Sequence, residues 1–155
     1  MTRIVSQLIK RIRRLPSLLS RILKAGFRRN RPFTLNRHES YEDYVRKQVE
    51  KTTDPERIEK WKTVEWDSKV QGFVGVFSRL DVPLERTRAL CLGSRTGQEV
   101  YALQTLGAEA QGIDLVAFPP FTTQGDVHDL HFEAEEFELV FSNIFDHVLY
   151  PEKFS

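Results

Sequence analysis

Five residues of this chain are of types and spacings that suit nucleotide chemistry: Gly93, Ser94, Arg95, Gly97 and Asp114. A glycine-rich turn lets a ligand lie against the backbone, because a Cβ would occupy that space. If the turn opens a helix, its N–H groups and the helix N-terminus attract an anionic or polar ligand. An acidic residue about 20 positions after such a turn is the one that receives ribose hydroxyls in nucleotide-binding βαβ units. The bland alternatives are a purely structural G-x-x-x-G turn and an Asp that merely starts a loop.

These residues need a strand, a helix and a second strand to hold them. Residues 89–92 (Ala-Leu-Cys-Leu) form an apolar run of the length of a buried strand. Val100, Leu103 and Leu106 follow the turn at helical spacing. Residues 108–113 read as the second strand, with Asp114 at its end and Leu115 after it. Residues 122–124 read as a short third strand and residues 137–141 as an apolar fourth. Asn143 then lies at the carboxyl end of that fourth strand, where open α/β sheets bind ligands. Asp146 and His147 follow, and such a pair suits a general base, or else a helix start beside a pocket wall.

Upstream, Ser40 with Asp43 marks a helix start, and Asp54-Pro55 marks a second, with proline suited to the first helical position. Ile58, Trp61 and Val64 make the apolar stripe of that second helix. Val70, Phe73, Val74, Phe77 and Leu80 make the stripe of a third.

In this order the stretches resemble the class I S-adenosylmethionine-dependent methyltransferases, close to the small-molecule branch often called type 11. The likeness rests on residues 91–97, on Gly112-Ile-Asp-Leu115, on Gly125-Asp-Val-His-Asp-Leu130 and on Phe137-Glu-Leu-Val-Phe-Ser-Asn143. It implies a Rossmann-like α/β three-layer sandwich of parallel strands, preceded by helices. It also implies S-adenosylmethionine as cofactor, held by Gly93, Ser94, Arg95, Gly97, Asp114, Leu115, Asp126, Val127 and Asn143. Asp126 and Val127 fall where the family contacts adenine, by a carboxylate on the exocyclic amine and a backbone N–H on the ring. The loop 116–121, stiffened by Pro119 and Pro120, is expected beside the adenosine or as a plain extended crossover. Helices upstream of the turn often shape the family's pocket, which nominates Tyr41, Tyr44 and Trp66.

Two residues depart from the family pattern. Cys91 stands where an acidic residue is usual, and Arg95 where the middle glycine is usual. Arg95 either stays on the cofactor turn or points outward as a positive rim. The family continues to a fifth strand and a reversed hairpin beyond residue 155. The fold is therefore expected to be incomplete at its carboxyl end, with an uncovered fourth strand prone to self-association. The activity implied is methyl transfer to a small-molecule acceptor. The alternatives are a non-catalytic or truncated binding module, with or without a membrane tether, and a nucleotide-sugar or NAD enzyme, which the absence of G-x-G-x-x-G disfavours. No catalytic residue is assigned, because methyl transfer depends mainly on placing two reactants.

Composition bounds these readings. The 155 residues suit one core, with an N-terminal segment 1–37, a helical part 38–83 and a cofactor-binding part 84–155. A net charge of +1 gives no global reason to expect nucleic acid. One cysteine excludes an internal disulfide and a cysteine-based zinc site. His128, Asp129 and His131 do not make a metal constellation. Up to Glu39 the chain carries Lys and Arg without a single acid, interleaved with Ile4, Leu8, Ile12, Leu15, Leu19 and Ile22. Three readings stay open for residues 1–30: a basic amphipathic helix on an anionic membrane surface, an organelle-targeting segment, or a basic partner-binding arm. A cytoplasmic chain, with or without peripheral membrane attachment, is the expected setting.

Overall fold

A computed structural model of the chain describes residues 39–144 and 148–150. The basic segment, Asp146 and His147 lie outside the described residues.

Three helices come first. Helix α1 (Tyr41–Thr53) starts at Ser40, whose Oγ accepts the Asp43 N–H at 3.1 Å. Glu42 and Asp43 in its first turn complement the positive end of the helix dipole. Asp54 ends α1 and caps α2 (Pro55–Lys62), accepting from the N–H groups of Glu56 and Arg57. Pro55 occupies the first helical position, where its missing N–H costs nothing. The stripe expected through Val64 stops short: α2 ends at Lys62, and Val64 is 79% exposed. Helix α3 (Trp66–Phe77) then buries Val70 and Phe77.

The sheet follows. Strand β1 (Arg88–Leu92) leads through α4 (Gln98–Thr105) to β2 (Glu109–Asp114), then to β3 (Thr122–Gln124) and β4 (Leu139–Ser142). All neighbouring strands are parallel, in the order β3-β2-β1-β4. The chain is thus an α/β fold. The fourth strand begins later than the sequence suggests, because Phe137 leaves the ladder to pack edge-on against Phe132, ring centres 5.0 Å apart.

Alternation along β1 divides the core. Ala89 and Cys91 face α3 and α4, among Val70, Phe77, Val100 and Leu103. Leu90 and Leu92 face the other way, onto Ile113, Val127 and Val148, with Leu130, Phe132, Phe137 and Ile144 around them. Helices therefore cover one face of the sheet, and loop residues cover the other, among the described residues.

Beyond β1 the chain builds β2 and β3 on one side and β4 on the other. The carboxyl end of β1 lies where the strand order reverses, which is where open α/β sheets leave a crevice.

Candidate functional site

The glycine-rich turn sits on that crevice. Gly93, Arg95 and Gly97 all have positive φ, 71°, 44° and 87°. At Gly97 a side chain would also run into Phe121, so glycine is needed there twice over. Four N–H groups of the turn are bonded within the fold. The Gly93 and Ser94 N–H groups both donate to the Ile113 carbonyl, at 2.9 and 3.1 Å. Gly97 N–H donates to the Ser94 carbonyl at 2.7 Å, and Arg95 N–H to Asp114 Oδ2 at 3.0 Å. The cause is register. Leu92 pairs with Ile113, so the residues just past Leu92 fall against the same carbonyl.

Ser94 turns inward rather than toward a ligand. It is 1% exposed, with Oγ 2.9 Å from Thr122 Oγ1. It lies over Gly112, where a Cβ would collide with it. Arg95 turns toward α2. Its guanidinium lies over the Trp61 ring of α2, 5.2 Å from the centre, instead of forming an outward rim. Gln98 strengthens the same junction, its side-chain amide donating to the Trp61 carbonyl at 2.9 Å.

The cleft is lined by Tyr44, Gln48 and Thr52 of α1, by Gly93 and Arg95, by Asp114 and Leu115, by residues 125–128, and by Ile144. The three α1 residues recur at helical spacing and form one face of that helix. Seven residues nominated from the sequence thus meet here: Tyr44, Gly93, Arg95, Asp114, Leu115, Asp126 and Val127. Ser94 and Gly97 are packed behind the turn. Asn143 is exposed and is not on the lining, because β4 ends at Ser142 before it. Trp66 stands apart as well, against Tyr101 and Phe121. Of the proline-containing loop, Phe118 is buried under Lys62, and the Pro119–Pro120 bond is cis. The free volume of the cleft is about 50 Å³, room for one or two water molecules.

Two carboxylates lie on its lining, at the ends of the adjacent strands β2 and β3. Burial raises the Asp114 carboxyl above its usual range, against the N–H groups of Arg95 and Val116 and the Arg95 charge, which favour the ionised form. Burial acts on Asp126 in the same sense, but hydrogen bonds from Tyr41 and His128 outweigh it and hold Asp126 below the usual range. The Tyr41 hydroxyl donates to Asp126 Oδ2 and also lies 3.1 Å from His128 Nδ1. Burial and the adjoining carboxylate push its pKa up, so it stays protonated.

His128 is locked between partners. Its imidazole is 5% exposed, with Nδ1 2.9 Å from Asp126 Oδ1. Tyr150 N–H donates to Nε2 at 3.4 Å. An accepting Nε2 assigns the proton to Nδ1, which then donates to Asp126. Neither nitrogen is left over for a metal, and His131 lies exposed beside Asp129.

Sequence reasoning missed Glu99. It is 4% exposed in the first turn of α4, and burial pushes its pKa up to about 7. It shares that interior with the fully buried Cys91, whose thiol burial and the Glu99 charge keep protonated. A carboxylate beside a core position on an amphipathic helix gives no sequence signal of its depth.

The arrangement can accept hydrogen bonds from hydroxyl or amine donors at two fixed carboxylates, with apolar walls from Leu115 and Val127 between them. It brings together no nucleophile and base among the described residues. No protein-family model and no curated protein matches the chain.

Proposed function

We propose that this cleft binds S-adenosylmethionine and that the chain is a class I methyltransferase acting on a small-molecule acceptor. The observation that carries the reading is Asp114, at the tip of β2 on the cleft, with Asp126 on the same lining just past β3. A carboxylate at that place suits a ribose diol, and one at Asp126 suits an exocyclic amine. The strand order β3-β2-β1-β4 supports a Rossmann-like sheet, with the turn at its switch point. Among the described residues the lining pairs no nucleophile with a base, which suits a transfer in which the electrophile comes with the cofactor. The cofactor supplies an electrophilic methyl group, and the chain's residues bind, orient and exclude water.

Calorimetric titration of the purified chain with S-adenosylmethionine, S-adenosylhomocysteine and NAD, side by side, tests the reading. Tighter binding of the two sulfur ligands is expected. NAD binding as tight or tighter overturns it.

A second reading, a binding module without turnover, is supported by Arg95 and by the internally bonded turn. Fewer free donors leave less to grip a cofactor's polar end. Binding without product in a radiolabelled methyl-transfer assay over a broad acceptor panel selects it.

A further inference from the structure

Helix α1 touches the cleft in two ways. Tyr44, Gln48 and Thr52 line it, while Tyr41 reaches past them to the loop after β3 and donates to Asp126 Oδ2. Arg46 pairs with Asp43 and Glu50, and Lys47 with Asp43. The Tyr41 ring is stacked on Tyr150 at 6.0 Å and meets the edge of His128 at 5.2 Å. These rings and the hydroxyl gather around Asp126 and His128, which line the cleft.

We infer that Tyr41 is a built-in competitor for the cleft: its hydroxyl occupies the Asp126 oxygen that the exocyclic amine of an adenine-type nucleoside would use. A nucleoside enters only when the first turn of α1 swings away. The inference rests on the nucleoside reading above.

Two features support it. A phenol hydroxyl and an aromatic amine are both neutral donors to a carboxylate, so one oxygen position suits either. The cleft of about 50 Å³ is also too small as it stands, since pockets for small molecules run to about 300–1,000 Å³. Asp54, shared between the end of α1 and the start of α2, is the place about which α1 can turn. The closed state then lowers apparent affinity by the fraction of molecules that are open.

The test is calorimetry of the whole chain and of its Tyr41→Phe variant with S-adenosylhomocysteine, together with a urea melt of each. Phenylalanine keeps the ring packing and removes the donor. The expected result is binding roughly three- to tenfold tighter in Tyr41→Phe, the size of one lost competing hydrogen bond. Equal or weaker binding by a folded variant overturns the lock while leaving the nucleoside reading intact. No binding to either protein overturns the nucleoside reading, and the lock with it. If Tyr41→Phe fails to fold, amide hydrogen exchange of the unmodified chain decides. Saturating S-adenosylhomocysteine should speed exchange in the first turn of α1, and unchanged or slower exchange there rejects the lock.

Discussion

The backbone N–H of Arg95 donates to Oδ2 of Asp114 at 3.0 Å, across 19 positions of sequence. Oδ1 of the same carboxylate faces the Val116 N–H at 3.5 Å. One side chain therefore ties the turn after β1 to the tip of β2 and also faces the cleft. Substituting it should disturb the shape of the turn as well as any ligand.

Asp114→Ala is expected to weaken S-adenosylmethionine binding by roughly 1.5–3 kcal/mol, the usual size of a hydrogen bond to a charged group. Asp114→Asn should lose less, because its amide oxygen can still accept from Arg95 N–H. Calorimetry on both variants checks this. Unchanged affinity in the alanine variant would remove Asp114 from the ribose role.

Glu99 should make the fold less stable as pH rises. Its folded pKa of about 7 lies above its usual 4.5, so the folded chain holds its proton more tightly than the unfolded one. Its contribution is whole below 4.5 and is lost as pH climbs through 7. The full loss is about 3 kcal/mol. Lys69, Arg95 and Asp114 also act on this carboxyl, the first two favouring its charge and the last opposing it. Glu99→Gln should flatten the decline, a difference read from urea melts at pH 5 and pH 8. Parallel pH profiles for the two proteins would clear Glu99 of this role.

Two glycines should respond in opposite directions to alanine. At Gly112 the new methyl meets Ser94 and lies 2.8 Å from Val100 Cγ2, between packed elements. The cost should be about 1–3 kcal/mol. At Gly72, inside α3, nothing lies within 4 Å, and alanine should stabilise by about 0.5–1 kcal/mol. Thermal melts of both variants give the comparison.

The acid-free basic segment is expected to bind anionic vesicles. Each Lys or Arg near such a surface contributes about 1 kcal/mol, screened by salt. A peptide of residues 1–30 should sediment with anionic vesicles, less so at high salt. Equal sedimentation with neutral vesicles counts against an electrostatic attachment.

Local chemistry made much of the architecture readable in advance. Ser40 and Asp54 announce helix starts because their side chains satisfy N–H groups only a few residues away. Residues 122–124 announce a strand, and that strand is β3. Asp114 was readable at the tip of β2 because strand, turn and helix have nearly fixed lengths. What could not be read depends on partners far away in sequence. Tyr41 meets Asp126 across 85 positions, and Ser94 meets Thr122 across 28. Asn143 has the right position in the chain, yet β4 ends one residue too early to carry it onto the cleft. The depth of Glu99 follows from how α3 lies on α4, which no short pattern encodes.

Cys91 is the chain's one cysteine, fully buried in β1 with strands on both sides. A thiol-labelling reagent can reach it only when the central strand is uncovered. The rate of modification therefore measures how often the sheet opens as a whole. Local fraying of helix ends leaves that rate unmoved. The protein carries its own unfolding clock, which can be read without introducing any foreign residue.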